Sequence, residues 1–306
     1  MTLHTAILEV AMYLIVEAES IAPDVRRIVV EAPKIAKKHL AGQFVIVRVT
    51  PDGERIPLTI AEADPVAGSI TLFVQAIGRT TTLMSELEAE DFLVDVAGPL
   101  GRASEIKQYG TAVVVGGGLG TAIAYPIARA LADVGNRVIA IIGGRSREYV
   151  LLEDQLAAHD IEVVPCTDDG SYGRPGFVTA ALADIIEAED VGVVFAAGPV
   201  PMMGAVAEVT RPRAIETIAS LNPIMVDGTG MCGGCRVEVG GETKFACVDG
   251  PEFDAHRVDF DLLQRRNTSY RAFESKRLLD LESLDAAHLE QVLAPVRGAC
   301  ATEADA

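Results

Sequence analysis

TAVVVGGGLGTAIAYPIARALADVG, residues 111–135, decides the fold. It runs from a continuous apolar segment through a glycine-rich turn into a helical stretch of small residues. A strand that is apolar on both faces must be covered on both, and strand, turn and helix in that order form the repeating unit of a parallel sheet. The same strand type returns at RVIAIIGG (137–144), IEVVPCTDD (161–169) and GVVFAAGP (192–199). Helical runs lie between them at REYVLLEDQLAAH (147–159), with Ser146 as a candidate cap, and FVTAALADIIEAED (177–190). The pattern predicts a doubly wound parallel-sheet nucleotide domain over residues 107–220.

In that setting the turn Gly116-Gly117-Gly118-Leu119-Gly120-Thr121 suits a pyrophosphate, because small residues let the backbone approach it at a helix N-terminus. The strict G-x-G-x-x-G spacing is not kept, and a plain tight turn is the competing reading. No acid ends the second strand, where a ribose 2′-hydroxyl contact belongs; Arg145 and Arg147 follow it instead. They would suit the 2′-phosphate of NADP(H), yet two solvated loop arginines leave NAD(H) equally open. Gly198 and Pro199, followed by Met202 and Met203, end the last apolar strand on the side where such sheets bind ligands.

Upstream the character differs. YLIVEAESI (13–21), VRRIVVEAP (25–33), GQFVIVRV (42–49), RIPLTIAEA (55–63), SITLFVQAI (69–77) and DFLVDVAGPLG (91–101) are short, β-branched and punctuated by Gly and Pro. They predict a small antiparallel barrel over 12–106, with one helix at TTLMSELEA (81–89) and an extension at 1–11. Arg55 and Thr59 put a cation and a hydroxyl on one barrel strand. Gly78-Arg79-Thr80-Thr81 precedes the helix and suits a second phosphate. A surface arginine and a helix cap account for these residues equally well.

Downstream, DGTGMCGGCRVEVGGETKFAC (227–247) has the spacing Asp-x4-Cys-x2-Cys-x11-Cys. The plant-type two-iron pattern is C-x4-C-x2-C with a later cysteine, so Asp227 stands at the first ligand position. The spacing predicts a [2Fe-2S] cluster on Asp227, Cys232, Cys235 and Cys247, in a module over 221–256. Zinc is the competing metal, but it favours a second Cys pair or added His, and His256 lies outside the loop. Cys166 and Cys300 are alternative fourth ligands. Residues 257–306 form a helical C-terminal tail, with Leu278, Leu281, Leu284, Leu289 and Val292 near one helical face and a disordered end from Arg297.

The totals exclude several classes. A net charge of −18 repels phosphate backbones, which argues against nucleic-acid binding. The N-terminal residues lack a signal peptide's basic region, and no apolar stretch is free enough of Gly and Pro to predict a membrane span. Five cysteines, three of them clustered at ligand spacing, speak for a reduced, cytoplasmic protein.

The order of barrel, nucleotide domain and cluster loop resembles the ferredoxin–NADP reductase superfamily. The C-terminal cluster resembles the electron-transfer subunits of dihydroorotate dehydrogenase, and more closely the small subunit of the NADH-dependent reduced ferredoxin:NADP oxidoreductase type (sulfide dehydrogenase beta-subunit-like). The residues that carry this are GQF (42–44), RIPLT (55–59), VAGPLG (96–101), GGGLGTA (116–122), CTDDGSYGRPGFVT (166–179), NPIMVDGTGMCGGCRVEVGG (222–241) and FACVDGPEFDAHRVDFDLLQRR (245–266). The resemblance implies that Arg55, Pro57, Leu58 and Thr59 hold FAD, with Arg55 at the diphosphate and Thr59 near the ring system. Thr80 and Thr81 would take the FAD phosphates, the turn from Gly116 to Thr121 the nicotinamide dinucleotide, and Gly198 and Pro199 the nicotinamide. Ala197 stands where the superfamily often has Cys. Asp227 departs from the all-Cys cluster of the dihydroorotate type, and the family favours NAD(H) despite Arg145.

The function so implied is an NAD(P)H-dependent flavin iron–sulfur oxidoreductase subunit. It would pass electrons between NAD(H), FAD and the cluster to or from a larger flavin/iron–sulfur subunit, with ferredoxin served through an electron-bifurcating complex. The alternatives are an electron-transfer subunit for dihydroorotate dehydrogenase or another oxidoreductase, and a non-catalytic redox sensor. Hydride transfer needs no acid–base pair, and none is expected.

Overall fold

The structure is a computed structural model that describes residues 12–298. The extension 1–11, Cys300 and the rest of the last eight residues lie outside the described residues. Strands β1 (Tyr13–Ala22), β2 (Val25–Glu31), β3 (Phe44–Arg48), β4 (Arg55–Thr59), β5 (Glu62–Asp64), β6 (Ser69–Gln75), β7 (Phe92–Leu93) and β8 (Asp95–Leu100) build the N-terminal unit, with short helices α1 (Pro33–Ala36) and α2 (Arg79–Ser85). They form antiparallel sheets in the orders β5-β6-β2-β1-β7 and β4-β3-β8. Ile15, Ile28, Ile70, Leu72 and Val74 of the first meet Val45, Val47 and Val96 of the second in one core. β3 lacks polar alternation because both its faces are covered. Val45 and Val47 enter the barrel core, while Phe44 and Ile46 join a second core shared with the other two units.

In the nucleotide unit, β9 (Thr111–Gly117), β10 (Arg137–Gly144), β11 (Glu162–Thr167), β12 (Arg174–Pro175), β13 (Val191–Ala197) and β14 (Glu216–Ser220) are parallel, in the order β12-β11-β10-β9-β13-β14. The chain winds outward from β9 through β10 and β11, then returns to β13 on the other side of β9. That reversal opens a crevice at the carboxyl ends of β9 and β13. α3 (Gly120–Asp133) and α4 (Glu153–Ala157) cover one face; α5 (Val178–Ala188) and α6 (Val200–Thr210) cover the other. The run 147–159 is not one helix. A 3₁₀ turn spans Arg147–Tyr149, Leu152 takes a left-handed φ of 60°, and only then does α4 begin; Ser146 makes no side-chain cap. Leu151 and Leu152 are both buried in the core beside α3, and a break in the helix lets adjacent residues face the same way.

The third unit contains the hairpin β15 (Arg236–Val239) and β16 (Glu242–Phe245), α7 (Ala246–Asp249) and β17 (Glu252–Asp254). Gly240 and Gly241 turn the hairpin at φ +61° and +80°, the conformation that a two-residue hairpin turn requires. β17 pairs antiparallel with β14, so this unit extends the nucleotide sheet by a strand. Beyond it lie α8 (Phe260–Asn267), α9 (Arg271–Glu282) and α10 (Ala286–Leu293). The predicted long apolar face is broken at Ser283–Asp285, where Asp285 caps α10 by accepting from the His288 N–H at 2.9 Å. Leu281, Leu293 and Val296 are buried in the barrel core, with Leu284, Leu289 and Val292 against it. The tail therefore packs on its own barrel. Arg297 and Gly298, expected to be disordered, are ordered: Asp91 accepts from Arg297 Nη1 at 2.6 Å and from the Gly298 N–H at 2.9 Å.

Candidate functional site

Strand alternation puts Arg55, Pro57 and Thr59 on the outer face of β4, and Ile56 and Leu58 inside. Leu58 is buried in the barrel core, so it offers the outer face its backbone alone. In the β4-β3-β8 ladder, Thr59 stands opposite Phe44, Pro57 opposite Ile46 and Arg55 opposite Arg48. Phe44, Ile46 and Arg48 in turn stand opposite Leu100, Ala97 and Asp95. Opposed residues share a face. Arg55 accordingly ion-pairs with Asp95 across β3. At the start of α2 both threonine hydroxyls are already engaged. Thr80 donates to Glu54 at 3.3 Å, and Thr81 Oγ1 accepts from the Ile77 and Gly78 N–H groups at 3.1 and 3.0 Å. What this end of α2 still offers an anion is its first N–H groups, which a helix leaves without internal partners.

The dinucleotide turn is set by close packing. A Cβ on Gly120 would stand 2.2 Å from the Ala197 carbonyl oxygen, and one on Gly117 2.4 Å from Met202 Sδ. The turn thus lies directly against Gly198 and Pro199 across the crevice. Gly118 has φ +55° and open space where a Cβ would point, so the outer side of the turn is free for a ligand. Leu119 precedes α3, and Thr121 in its first turn is 1% exposed, with Oγ1 unpaired. The arginines after β10 are stacked: Arg145 lies 4.6 Å from the Tyr149 ring centre and Arg147 4.9 Å from that of Tyr172. Acids Glu148, Asp168 and Asp169 share this loop region, and the Asp169 N–H donates to the Arg145 carbonyl at 3.2 Å.

In the cluster loop, the Cys235 thiol meets that of Cys247, and the Asp227 carboxylate meets the Cys232 backbone. Cys235 and Cys247 are 1% and 2% exposed, and their sulfurs lie 3.2 Å apart, unbonded. Two thiolates on one tetrahedral metal at about 2.3 Å stand about 3.7 Å apart, so this pair suits a shared iron with little movement. Asp227 and Cys232 form the exposed side. The Asp227 carboxylate accepts from the Thr229 N–H at 2.9 Å and the Cys232 N–H at 3.1 Å, and these bonds, that of Thr229 first, hold it below the usual carboxylate range. Burial, and then the Cys235 thiol, push the Cys247 thiol up to about 12, and the Gly230 N–H opposes them. No three His, Cys, Asp or Glu side chains converge on a single metal position among the described residues. A two-iron cluster asks for two ligand pairs instead. Cys166 sits on β11, five strands from β17 in the sheet order, or roughly 24 Å at the usual strand spacing. It is buried, and burial pushes its thiol up.

The cluster loop lies on the outer barrel face. A Cβ on Gly228 would stand 2.6 Å from Leu100 Cδ1 and 2.9 Å from Ile46 Cγ1, and Ile46 is the cross-strand partner of Pro57. Arg266 donates to the Gly234 carbonyl at 3.3 Å, and Asn222 Nδ2 to the Gly198 carbonyl at 3.4 Å, tying the loop to α8 and to the crevice. Sequence reasoning missed these braces, and also Glu252, whose carboxylate accepts from Ser104 Oγ at 2.6 Å where the three units meet. Burial pushes that carboxyl up to about 7. His256 is engaged elsewhere, with Nε2 2.9 Å from Thr210 Oγ1.

Comparisons with known proteins find the two domain types in the order barrel, then cluster module. The oxidoreductase FAD-binding domain matches residues 13–104, and the iron–sulfur cluster binding domain of dihydroorotate dehydrogenase B matches residues 222–259. A homolog of the dihydroorotate dehydrogenase B (NAD(+)) electron transfer subunit from Thermotoga maritima is 43% identical over 264 residues, 86% of this chain and 93% of that protein. The electron transfer subunit of Geobacillus thermodenitrificans is 33% identical over 255 residues, 80% of this chain and 96% of that protein. A chain of the NADH-dependent reduced ferredoxin-NADP oxidoreductase, studied for flavin-based electron bifurcation, superposes at a TM-score of 0.83 with 41% identity, covering 88% of this chain and 98% of that one. An Amycolatopsis cytochrome P450 reductase shares the fold at a TM-score of 0.58 and 24% identity, over 67% of this chain and 66% of that one. No helix among the described residues is long and apolar enough to cross a membrane. With FAD-binding and iron–sulfur domains in this order, the chain belongs to the family of dihydroorotate dehydrogenase B electron transfer subunits.

Proposed function

We propose that this chain is the NADH-side subunit of a cytoplasmic, heteromeric oxidoreductase of the ferredoxin:NADP type. The observation that carries the electron route is the contact of Gly228 with Ile46 and Leu100, one strand from Pro57. It sets the cluster loop beside the face that carries Arg55 and Thr59. A flavin bound there supplies the conversion between a two-electron hydride and a cluster that takes electrons singly. In this reading Arg55 and the first turn of α2 hold the FAD diphosphate, and the backbone of Leu58 with Pro57 and Thr59 lines the ring system. The Gly116–Thr121 turn orients NADH, with Gly198 and Pro199 at the nicotinamide. The acids around Arg145 and Arg147 favour NADH, since a 2′-phosphate there would meet Asp168 and Asp169.

Asp227, Cys232, Cys235 and Cys247 hold the [2Fe-2S] cluster. Asp227 has its two loop N–H bonds to fix its carboxylate and is at the right spacing. Met231 is 88% exposed and Cys232 is also exposed, so this edge of the loop is open to a partner. The partner is a larger flavin and iron–sulfur subunit through which ferredoxin exchanges electrons.

The test is purification from the native host, with mass spectrometry of co-purifying chains and NADH titration followed in the visible spectrum. Bleaching of flavin and cluster together, with a large iron–sulfur partner, is expected. A partner of the dihydroorotate dehydrogenase catalytic type would overturn the assignment in favour of that enzyme. Asp227→Cys is expected to keep the iron and shift the EPR signal and potential; an unchanged signal and potential would remove Asp227 as a ligand.

A further inference from the structure

Helix α9 lies outside both matched domains, yet it packs beside α2 at the barrel end where Arg55 stands. Arg277 on α9 brings Nε to 3.8 Å from one Glu54 oxygen, and the other Glu54 oxygen accepts the Thr80 hydroxyl at 3.3 Å. Glu54 directly precedes Arg55 in the chain. Arg277 Nε is buried without a hydrogen-bond partner, and its guanidinium lies 5.9 Å from the Phe273 ring centre on the preceding turn. The tail therefore delivers an oriented cation to a carboxylate one hydrogen bond from Thr80. Left alone, that carboxylate would repel any phosphate at the start of α2. The ordinary docking of the tail does not need this pair, because Leu281, Leu293 and Val296 bury into the barrel and Arg297 reaches Asp91.

We propose that Arg277 is a positioning residue of the flavin site: it neutralises Glu54, so that the FAD diphosphate can lie beside Arg55 and Thr80. The inference rests on the reading that these residues receive the diphosphate. The role is electrostatic and acts through Glu54, so removing the carboxylate makes the cation dispensable.

The test uses the full chain, stripped of FAD and titrated with FAD by flavin fluorescence at low and high salt, with the melting temperature of each variant measured in parallel. Arg277→Met is expected to weaken FAD binding about three- to tenfold at low salt, and less at high salt. Adding Glu54→Gln to it is expected to restore binding to within about twofold of wild type, the outcome a charge-neutralising role demands. Arg55→Met serves as the control for the site and is expected to weaken binding as well. If Arg55→Met binds FAD normally, the site reading fails and this inference falls with it. If Arg55→Met loses affinity while Arg277→Met does not, or if Glu54→Gln fails to rescue Arg277→Met, the site reading stands and this inference alone is overturned.

Discussion

Two glycine-rich loops serve this chain, and they need glycine for different reasons. In the turn from Gly116 to Gly120, side-chain positions at Gly117 and Gly120 are filled by the neighbouring Ala197–Met202 segment, down to 2.2 Å from the Ala197 carbonyl oxygen. In the loop from Gly228 to Gly234, Gly228, Gly230 and Gly233 have φ of +74°, +83° and +67°, which bends the backbone so that N–H groups face Asp227 and Cys247. Packing against a neighbouring segment sets the first loop at Gly117 and Gly120; positive φ shapes the second, where Gly228 is packed as well, against Leu100 and Ile46. A glycine count alone does not separate a loop that must fit its neighbour from one that must curl around a ligand.

Substitutions test that difference. The largest effect is expected from Cys235→Ser, which removes a buried member of the 3.2 Å sulfur pair. It should abolish the cluster while flavin content and NADH-driven flavin reduction persist, as read by iron analysis and visible spectra. Retention of full iron would break the ligand assignment. Next comes Gly120→Ala, whose Cβ would meet the Ala197 backbone; a loss of about 3 kcal/mol in denaturant stability is expected.

Glu252, on β17 beside Ser104, should give a smaller, pH-dependent effect. Its folded pKa of about 7 lies above the ordinary 4.5, so the folded state holds the proton more tightly. Stability should be fullest below about pH 4.5, fall as pH rises to about 7, and level off above. Glu252→Gln should remove that slope and leave the variant up to about 3 kcal/mol more stable than wild type at pH 8. Denaturation at pH 6 and pH 8 measures it, and parallel pH profiles would show that Glu252 does not titrate in this range. The smallest effect belongs to Gly118→Asn. With left-handed φ and open space, Asn should change stability by less than about 1 kcal/mol. A loss as large as that of Gly120→Ala would erase the distinction between packed and open glycines within one turn.

The continuous strands at 111–117, 137–144 and 191–197 were legible because burial on both faces leaves a run of apolar residues that local sequence displays. The iron–sulfur module was legible for a similar reason, since the spacing of Cys232, Cys235 and Cys247 is local, and the matched cluster-binding domain spans it. β14 and β17 were not, because Glu216–Ser220 and Glu252–Asp254 are short, polar strands defined by the partner they meet. The break at Leu152 escaped because helical periodicity continues through it while the core demands two adjacent leucines. The apolar face of the tail was visible, but its target was not: periodicity says that a helix buries one side, without saying against what. Arg55 could be singled out, yet Asp95, its ion-pair partner, lies 40 positions away and no spacing rule connects them.

The three-residue strand β17 has a mechanical consequence. It is hydrogen-bonded along β14 through Ile218–Asp254, Ala219–Phe253 and Ser220–Glu252, so the iron–sulfur unit is stitched into the parallel sheet of the nucleotide unit. A carrier attached by a free tether would shuttle its charge by swinging, and its turnover would slow in viscous solvent. In the proposed route the carrier would be anchored like a soldered contact: tunnelling across a set gap would replace diffusion of an arm, and distance and potential would govern the rate.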